Sequence, residues 1–156
     1  MEGFHLVSDA ALDDLCRQMN EALAKGRRFF VRYAPEMNGN FLVWAGAYNA
    51  GNWFPYGQQP IGFLNSWKRV VTHVRAATNN SDKVAFIWSP NSGNGYPFPG
   101  GKYSAVLGSE DYKIMDSNNN GTVDGTDDPY SVFYPGDEWV DWIGFSVYHF
   151  ISKFLF

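Results

Sequence analysis

One acidic side chain, Glu36, follows the predicted end of a buried strand. The run from Phe29 through Tyr33 is short and β-prone, and Pro35, Glu36 and Asn38 follow it closely. In parallel α/β folds, active sites assemble at the carboxyl ends of strands, because the strand fixes the residue and the following loop supplies further contacts. A lone glutamate in a loop is more often a solvated charge, so the interpretation of Glu36 depends on its surroundings.

Several side chains that suit a sugar ligand are predicted at or beyond strand ends. They are Trp53, Tyr56, Trp88, Asn91 and Tyr148, in a chain of which 18% is aromatic. Sugar rings bind through aromatic faces together with amide and hydroxyl hydrogen bonds. An aromatic environment disfavours the charged form of a carboxylic acid, which would let Glu36 serve as a general acid. These residues together favour cleavage of a glycosidic bond.

Residues 116–127 have the spacing of a calcium-binding loop. Oxygen-bearing side chains occupy the first, third, fifth, ninth and twelfth positions, and the seventh residue would offer its backbone carbonyl; the six are Asp116, Asn118, Asn120, Asp124, Asp127 and Thr122. Gly121 at the sixth position permits the sharp bend. The loop resembles those of EF-hands and dockerins, more the latter because its last residue is Asp. We expect structural calcium that stiffens the loop; the alternative is a solvated loop without metal.

Alternating helices and strands predict an α/β fold. Apolar residues at three- and four-residue steps predict helices from Ser8 to Gly26 and over residues 60–77. Continuously apolar runs predict strands at 29–33, 84–88 and 142–148, the pattern of parallel strands covered on both faces. The polar stretch between Pro90 and Glu138 shows little periodicity and is predicted to be a long functional loop.

Composition excludes several classes of protein. The 156 residues include one cysteine, which rules out an internal disulfide framework. The net charge of −4 and the low charged fraction of 18% argue against a nucleic-acid partner. No apolar run approaches the ~18 residues of a membrane span, and no signal peptide is apparent.

Five segments resemble glycoside hydrolase family 26, and in particular its fungal members. They are 32–40 (RYAPEMNGN), 53–57 (WFPYG), 67–75 (WKRVVTHVR), 87–91 (IWSPN) and 134–148 (YPGDEWVDWIGFSVY). Characterised members of that family are mostly endo-β-1,4-mannanases. The resemblance implies a (β/α)8 barrel, of which this chain supplies roughly the fourth to sixth strands. It also implies retaining hydrolysis, β-mannan or a related polysaccharide as substrate, and an extracellular location.

The resemblance assigns roles to individual residues. Glu36 matches the acid/base after the fourth strand, Trp53 a tryptophan near the scissile sugar, and Tyr148 the sixth-strand tyrosine that holds the nucleophile. Many members have His directly before the acid/base, where this chain has Pro35. The nucleophile, a glutamate after the seventh strand, has no counterpart here, so we expect little activity from this chain alone.

Two stretches depart from the family pattern. Residues 41–52 interrupt it, and residues 151–156 replace it with an apolar end. We interpret both as intron-derived segments of a partial barrel domain over residues 1–156. Because a complete barrel needs about 250 residues, we expect poor independent folding and non-specific self-association through open sheet edges.

Other interpretations remain open at this point. The chain could be a non-catalytic, calcium-stabilised carbohydrate-binding protein, or the non-functional product of a truncated gene. Asp137, Glu138 and Asp141 precede the third strand, which predicts a place at the opposite edge from Glu36 or on the approach to it. Arg32 is predicted either to brace the Glu36 carboxylate or to form a structural ion pair.

Overall fold

The computed structural model describes residues 7–39, 48–49, 52–53, 59–79, 81–93, 95–97 and 105–147. The helices within these ranges are α1 (Asp9–Leu23), α2 (Pro60–Ala77) and α3 (Glu110–Met115). The strands are β1 (Phe29–Val31), β2 (Tyr48–Asn49), β3 (Asn52–Trp53), β4 (Val84–Trp88) and β5 (Trp142–Ile143). Two short 3-10 helices, Ser131–Phe133 and Asp137–Trp139, precede β5.

The main sheet is parallel, with β4 between β1 and β5, while β2 and β3 form a separate antiparallel pair. Ile87 of β4 lies opposite Trp142 of β5. The sequence predicts a strand over 142–148, whereas β5 has two residues, and beyond it an isolated parallel bridge joins Asn91 to Ser146. The predicted α/β class and the parallel orientation of the three strands are confirmed.

Local capping and one apolar face account for α1. The hydroxyl oxygen of Ser8 accepts a hydrogen bond from the backbone N–H of Ala11 at 3.2 Å, which satisfies one of the free donors of the first turn. Leu12, Cys16 and Met19 are buried on the face that packs inward. The predicted first helix is confirmed, with a slightly earlier end.

The second helix covers the sheet with a continuous apolar face, as its spacing predicts. Its buried hydrophobic side chains are Phe63, Trp67, Val70, Val71 and Val74. The indole N–H of Trp67 donates to the carbonyl oxygen of Trp139 at 3.0 Å, and its ring meets Phe86 of β4 edge-on at 6.3 Å. None of the described helices combines the length and the hydropathy that a membrane crossing requires.

The amino end of α2 is capped from α3. Gln59 makes no side-chain capping bond, and the Asp111 carboxylate accepts a hydrogen bond from the backbone N–H of Ile61 at 2.9 Å. A negative charge there also interacts favourably with the helix dipole. Burial nevertheless raises the pKa of Asp111, because desolvation outweighs the hydrogen bond to its charged form.

The stretch from Pro90 to Glu138 is more regular than the sequence predicts, because α3 and the 3-10 helices lie within it. The hydroxyl oxygen of Ser109 caps α3 by accepting a hydrogen bond from the N–H of Tyr112 at 3.1 Å. With six residues, α3 is shorter than two helical turns, so an apolar repeat cannot reveal it. The stretch predicted as one long loop therefore contains short regular elements, which is consistent with the prediction that the loop is ordered.

One face of the parallel sheet carries exposed aromatic rings. Phe30 of β1 is 68% exposed and Trp142 of β5 is 59% exposed, and their ring centroids lie 6.1 Å apart. Phe86 and Trp88, which alternate with the outward residues of β4, are buried. Cover on both faces, as continuously apolar strands predict, is therefore wrong at Phe30 and Trp142.

We expect this aromatic face to promote self-association. Replacing Trp142 by Lys should weaken association measured by sedimentation velocity roughly 30-fold, since interfacial tryptophans often contribute about 2 kcal/mol. Leu107→Lys is the matched control, because Leu107 is 78% exposed but lies in a turn before α3. Equal effects of the two substitutions would show that the face has no special part in association.

The half-buried cap at Asp111 leads to a prediction about pH. A raised pKa in the folded chain means that the charged carboxylate costs stability above that pKa, and that the cost vanishes below the ordinary value of 3.8. Asp111→Asn keeps an acceptor for the Ile61 N–H and removes the charge. Urea unfolding should therefore show a more stable variant at pH 7, with a gain that shrinks as the pH falls towards 3.8.

Glu110→Gln is the control for that experiment, because the Glu110 carboxylate lies on the same helix, pairs with Lys113 and is exposed. A gain for Asp111→Asn that grows on acidification would contradict the assignment.

Candidate functional site

The structure places Glu36 at the carboxyl edge of the parallel sheet. β1 ends at Val31, and the turn that follows carries Glu36 across to the end of β4. There the backbone N–H of Glu36 donates to the carbonyl oxygen of Ser89, the residue after β4, at 2.7 Å. Glu36 is half-buried at this junction of two strand ends.

The backbone on both sides of Pro35 adopts an uncommon conformation. Ala34 has φ +39° and Glu36 has φ +59°, values that L residues with a Cβ seldom adopt. Each such residue costs about 1–3 kcal/mol and persists only where surrounding contacts determine it. One of these contacts lies within the turn, where the Glu36 carbonyl accepts a hydrogen bond from the N–H of Gly39 at 2.9 Å.

Asn38 fixes the same turn from within. Its side chain is fully buried at 0% exposure. The Oδ1 atom accepts a hydrogen bond from the N–H of Asn91 at 2.8 Å, and Nδ2 donates to the carbonyl oxygens of Asn91 and Pro129, both at 3.2 Å. The Asn38 amide thus links the segment that follows β4 to the loop at Pro129.

Arg32 joins all three strand ends on the open face of the sheet. Its Nε donates to the hydroxyl of Ser89 at 2.8 Å and its Nη2 to the hydroxyl of Ser146 at 2.6 Å. Among the described residues it forms no ion pair with Glu36 or with any other acid. The two predicted roles, a brace on the carboxylate and a structural ion pair, are therefore replaced by a brace between strands.

Two of the predicted sugar-binding residues, Trp88 and Asn91, have described side chains. Trp88 is 4% exposed, its indole N–H donates to the carbonyl oxygen of Phe133 at 2.9 Å, and its ring packs on Tyr134. Asn91 lies at the edge next to the Glu36 turn. Trp88 thus supports the edge from beneath in this structure, and contact of either residue with substrate stays a prediction.

The remaining predicted contacts lie outside the described residues. Trp53 belongs to β3, of which the backbone alone is described, and Tyr56 and Tyr148 are not among the described residues. The structure therefore brings together Glu36, Asn38, Asn91 and the Arg32 brace.

Asp141 lies at the opposite edge, as predicted. It immediately precedes β5, and its Oδ2 accepts a hydrogen bond from the N–H of Phe86 at 2.7 Å. Its Oδ1 lies 3.1 Å from Nη2 of Arg75, near the end of α2. This carboxylate connects the helix to the sheet and is remote from the carboxyl ends of the strands.

The calcium-like loop is closed by its own hydrogen bonds. Asp116 accepts hydrogen bonds from the N–H groups of Asn120 and Gly121 at 2.9 and 2.8 Å. Asn118 also accepts from Asn120, and Asn120 accepts from Thr122, at 3.0 and 2.8 Å. The side-chain oxygens of the first, third and fifth positions therefore all turn towards the inside of one tight bend.

Asp127, the twelfth position, binds the two arms of this loop together. It is buried, with Oδ1 accepting from the Ser117 hydroxyl and the Asn118 N–H and Oδ2 from the Asp124 N–H, at 3.1, 3.3 and 2.8 Å. Over the described ranges, no three Asp, Glu, His or Cys side chains converge as a metal site. The oxygen donors suit calcium chemically, and the binding of calcium stays a prediction.

The sequence does not reveal Asn38, Ser89 and Ser146 as parts of this site. Asn38 is 53 residues from Asn91 and 91 from Pro129, and Arg32 is 114 residues from Ser146. The one available signal is that Asn38 lies two residues after Glu36 in the sequence. This signal does not identify the hydrogen-bond partners of Asn38.

Comparison with known proteins leaves the chain without an assigned family. No family model matches it, and no curated protein or solved structure matches it either. The likeness to glycoside hydrolase family 26 thus depends on the five sequence segments alone.

We expect calcium to stabilise the chain through residues 116–127. Extracellular calcium modules have dissociation constants of about 10⁻⁴–10⁻³ M, and ion at ten times that constant stabilises by about 1.4 kcal/mol. Calcium should therefore raise the melting temperature, and Asp116→Ala should abolish the increase. Asp82→Ala, which removes an exposed acid outside the loop, is the control; an increase that survives Asp116→Ala would contradict this site.

Proposed function

We propose that this chain carries the acid/base portion of a retaining glycoside hydrolase that acts on β-mannan or a related plant polysaccharide. Glu36 is the proton donor to the leaving glycosidic oxygen. The observation that carries the proposal is the position of Glu36 beyond a parallel strand, bonded to the end of the neighbouring strand through Ser89. The proposed parent architecture is a (β/α)8 barrel that includes β1, β4 and β5.

Three features of the described edge support this chemistry. Acid/base catalysis needs a carboxyl group held rigidly beside the scissile bond. The hydrogen bonds of Asn38 and of the Glu36 backbone hold the turn from which that carboxyl group projects. Strained backbone at Ala34 and Glu36 is of the kind that clusters at active sites.

The second carboxylate of a retaining pair is not supplied by the described edge. Retaining hydrolysis places two carboxyl groups about 5–5.5 Å apart. The described residues after β4 and β5, 89–93 and 144–147, include no Asp or Glu. This observation favours an acid/base portion whose nucleophile must come from outside the described edge. It equally favours the second candidate, a carbohydrate-binding protein that does not hydrolyse its ligand.

The remaining proposals follow from the same family likeness. Calcium in the loop of residues 116–127 would be held by Asp116, Asn118, Asn120, Asp124 and the Thr122 carbonyl, with Asp127 closing the loop. The ion would stiffen a loop that reaches the site through Pro129. An extracellular polysaccharide as substrate is consistent with such a calcium-stabilised loop.

An external nucleophile provides the sharpest test. Azide should replace the missing carboxylate in attack on the anomeric carbon of β-1,4-mannohexaose, while Glu36 protonates the departing oxygen. We expect azide-dependent cleavage by the full chain, detected as a mannosyl azide by mass spectrometry. Glu36→Gln should reduce its rate about 10²–10⁴-fold, the usual contribution of a general acid, while mannohexaose binding measured by calorimetry persists.

Glu110→Gln, which removes an exposed glutamate on α3, is the matched control and should leave cleavage unchanged. Cleavage that is indifferent to Glu36→Gln would refute the acid/base role. Binding without any azide-dependent cleavage would select the carbohydrate-binding protein.

A further inference from the structure

We propose that Asn38 is a positioning residue for the proton-donating Glu36, which it fixes by joining the Glu36 turn to the end of β4 and to the loop at Pro129. The inference rests on the proposed function for the role of Glu36. The positioning itself is a property of the fold and is tested without any sugar.

The turn that carries Glu36 has an unusual backbone conformation. Glu36 has φ +59°, and Ala34 has φ +39°, so the turn lacks an intrinsic preference for its shape. The bond from the Glu36 N–H to Ser89 fixes one point of it. The bond from the Gly39 N–H to the Glu36 carbonyl closes the turn on itself, so a second bond to the rest of the fold is needed to fix its orientation.

Asn38 supplies that second point two residues further on. Its carboxamide pairs with both backbone groups of Asn91, accepting from the N–H at 2.8 Å and donating to the carbonyl at 3.2 Å. A side chain that bonds to both the N–H and the carbonyl of one residue pairs with it as a neighbouring strand would. Two such bonds fix the orientation of the turn as well as its distance from β4. Full burial of Asn38 makes each unmet partner cost about 1–3 kcal/mol, so the pairing is maintained.

Asn38 also reaches the later loop, because its Nδ2 donates a hydrogen bond to the carbonyl oxygen of Pro129 at 3.2 Å. Pro129 is itself held, because Asp128 accepts hydrogen bonds from the N–H groups of Tyr130 and Ser131 at 2.8 and 3.2 Å. The Asp128 N–H donates to Ser117 at the start of the calcium-like loop. Asn38 therefore lies where three separate segments of the chain meet beside Glu36.

Replacement of the Asn38 amide separates positioning from folding. Asn38→Asp preserves shape but removes the two donors and sets an oxygen against the carbonyls of Asn91 and Pro129. Asn38→Ser avoids a buried charge and is too short to reach both partners. In each variant the Glu36 turn should lose its fixed orientation, while the helices and the far end of the sheet remain.

Carbon-13 NMR of the full chain labelled at glutamate Cδ reports on this directly. The chain contains five glutamates, and Glu36→Gln assigns the Glu36 signal by its disappearance. We expect the Glu36 signal to shift and broaden in both Asn38 variants, with the Glu21 and Glu110 signals unmoved. Azide-dependent cleavage should fall about 10²-fold, the effect of a displacement near 1 Å.

Asn20→Asp is the matched control, because Asn20 also donates its amide to a backbone carbonyl, that of Ala77, at 3.0 Å. An unmoved Glu36 signal in the folded Asn38 variants, or an equal change in Asn20→Asp, would overturn the inference. A shifted signal without sugar binding or cleavage would retain it and refute the proposed function.

If both Asn38 variants fail to fold, a measurement on the unaltered chain still tests the inference. The Asn91 amide, which donates to Asn38 Oδ1, should exchange with solvent at least 10²-fold more slowly than in an unstructured peptide. Exchange at the peptide rate would overturn the inference.

Discussion

The left-handed backbone at Glu36 is held by hydrogen bonds from parts of the chain that are distant in sequence. The residues around Pro35 have no intrinsic preference for that conformation. The Ser89 carbonyl and the Asn38 amide supply the missing constraint, and both depend on the end of β4. The position of the Glu36 backbone therefore follows from the parallel pairing of β1 with β4.

That pairing in turn depends on burial on one side of the sheet. Trp67 of α2 packs on Phe86 at the centre of β4, and its indole bond to Trp139 connects the helix to the approach to β5. Arg32 connects the three strands at their carboxyl ends through Ser89 and Ser146. The edge that carries Glu36 is thus cross-linked by hydrogen bonds, whereas the face around Phe30 and Trp142 is open to solvent.

Local patterns in the sequence predict the elements, and long-range pairs decide the site. Apolar periodicity that repeats over more than a dozen residues predicts α1 and α2, and short uninterrupted apolar runs predict the parallel strands. The six-residue α3 is too short to repeat. The partners of Asn38 lie 53 and 91 residues away, and local patterns in a single sequence contain no signal for pairs at such distances.

The backbone amide of Glu36 offers the most direct test of the constraint on which the proposed site depends. Hydrogen exchange of the nitrogen-15-labelled chain would be followed by NMR at this amide and at those of β4. A Glu36 amide bonded to Ser89 should exchange as slowly as the strand amides, through global unfolding. Exchange as fast as that of an unstructured peptide would show that the turn is not held, and would contradict the account.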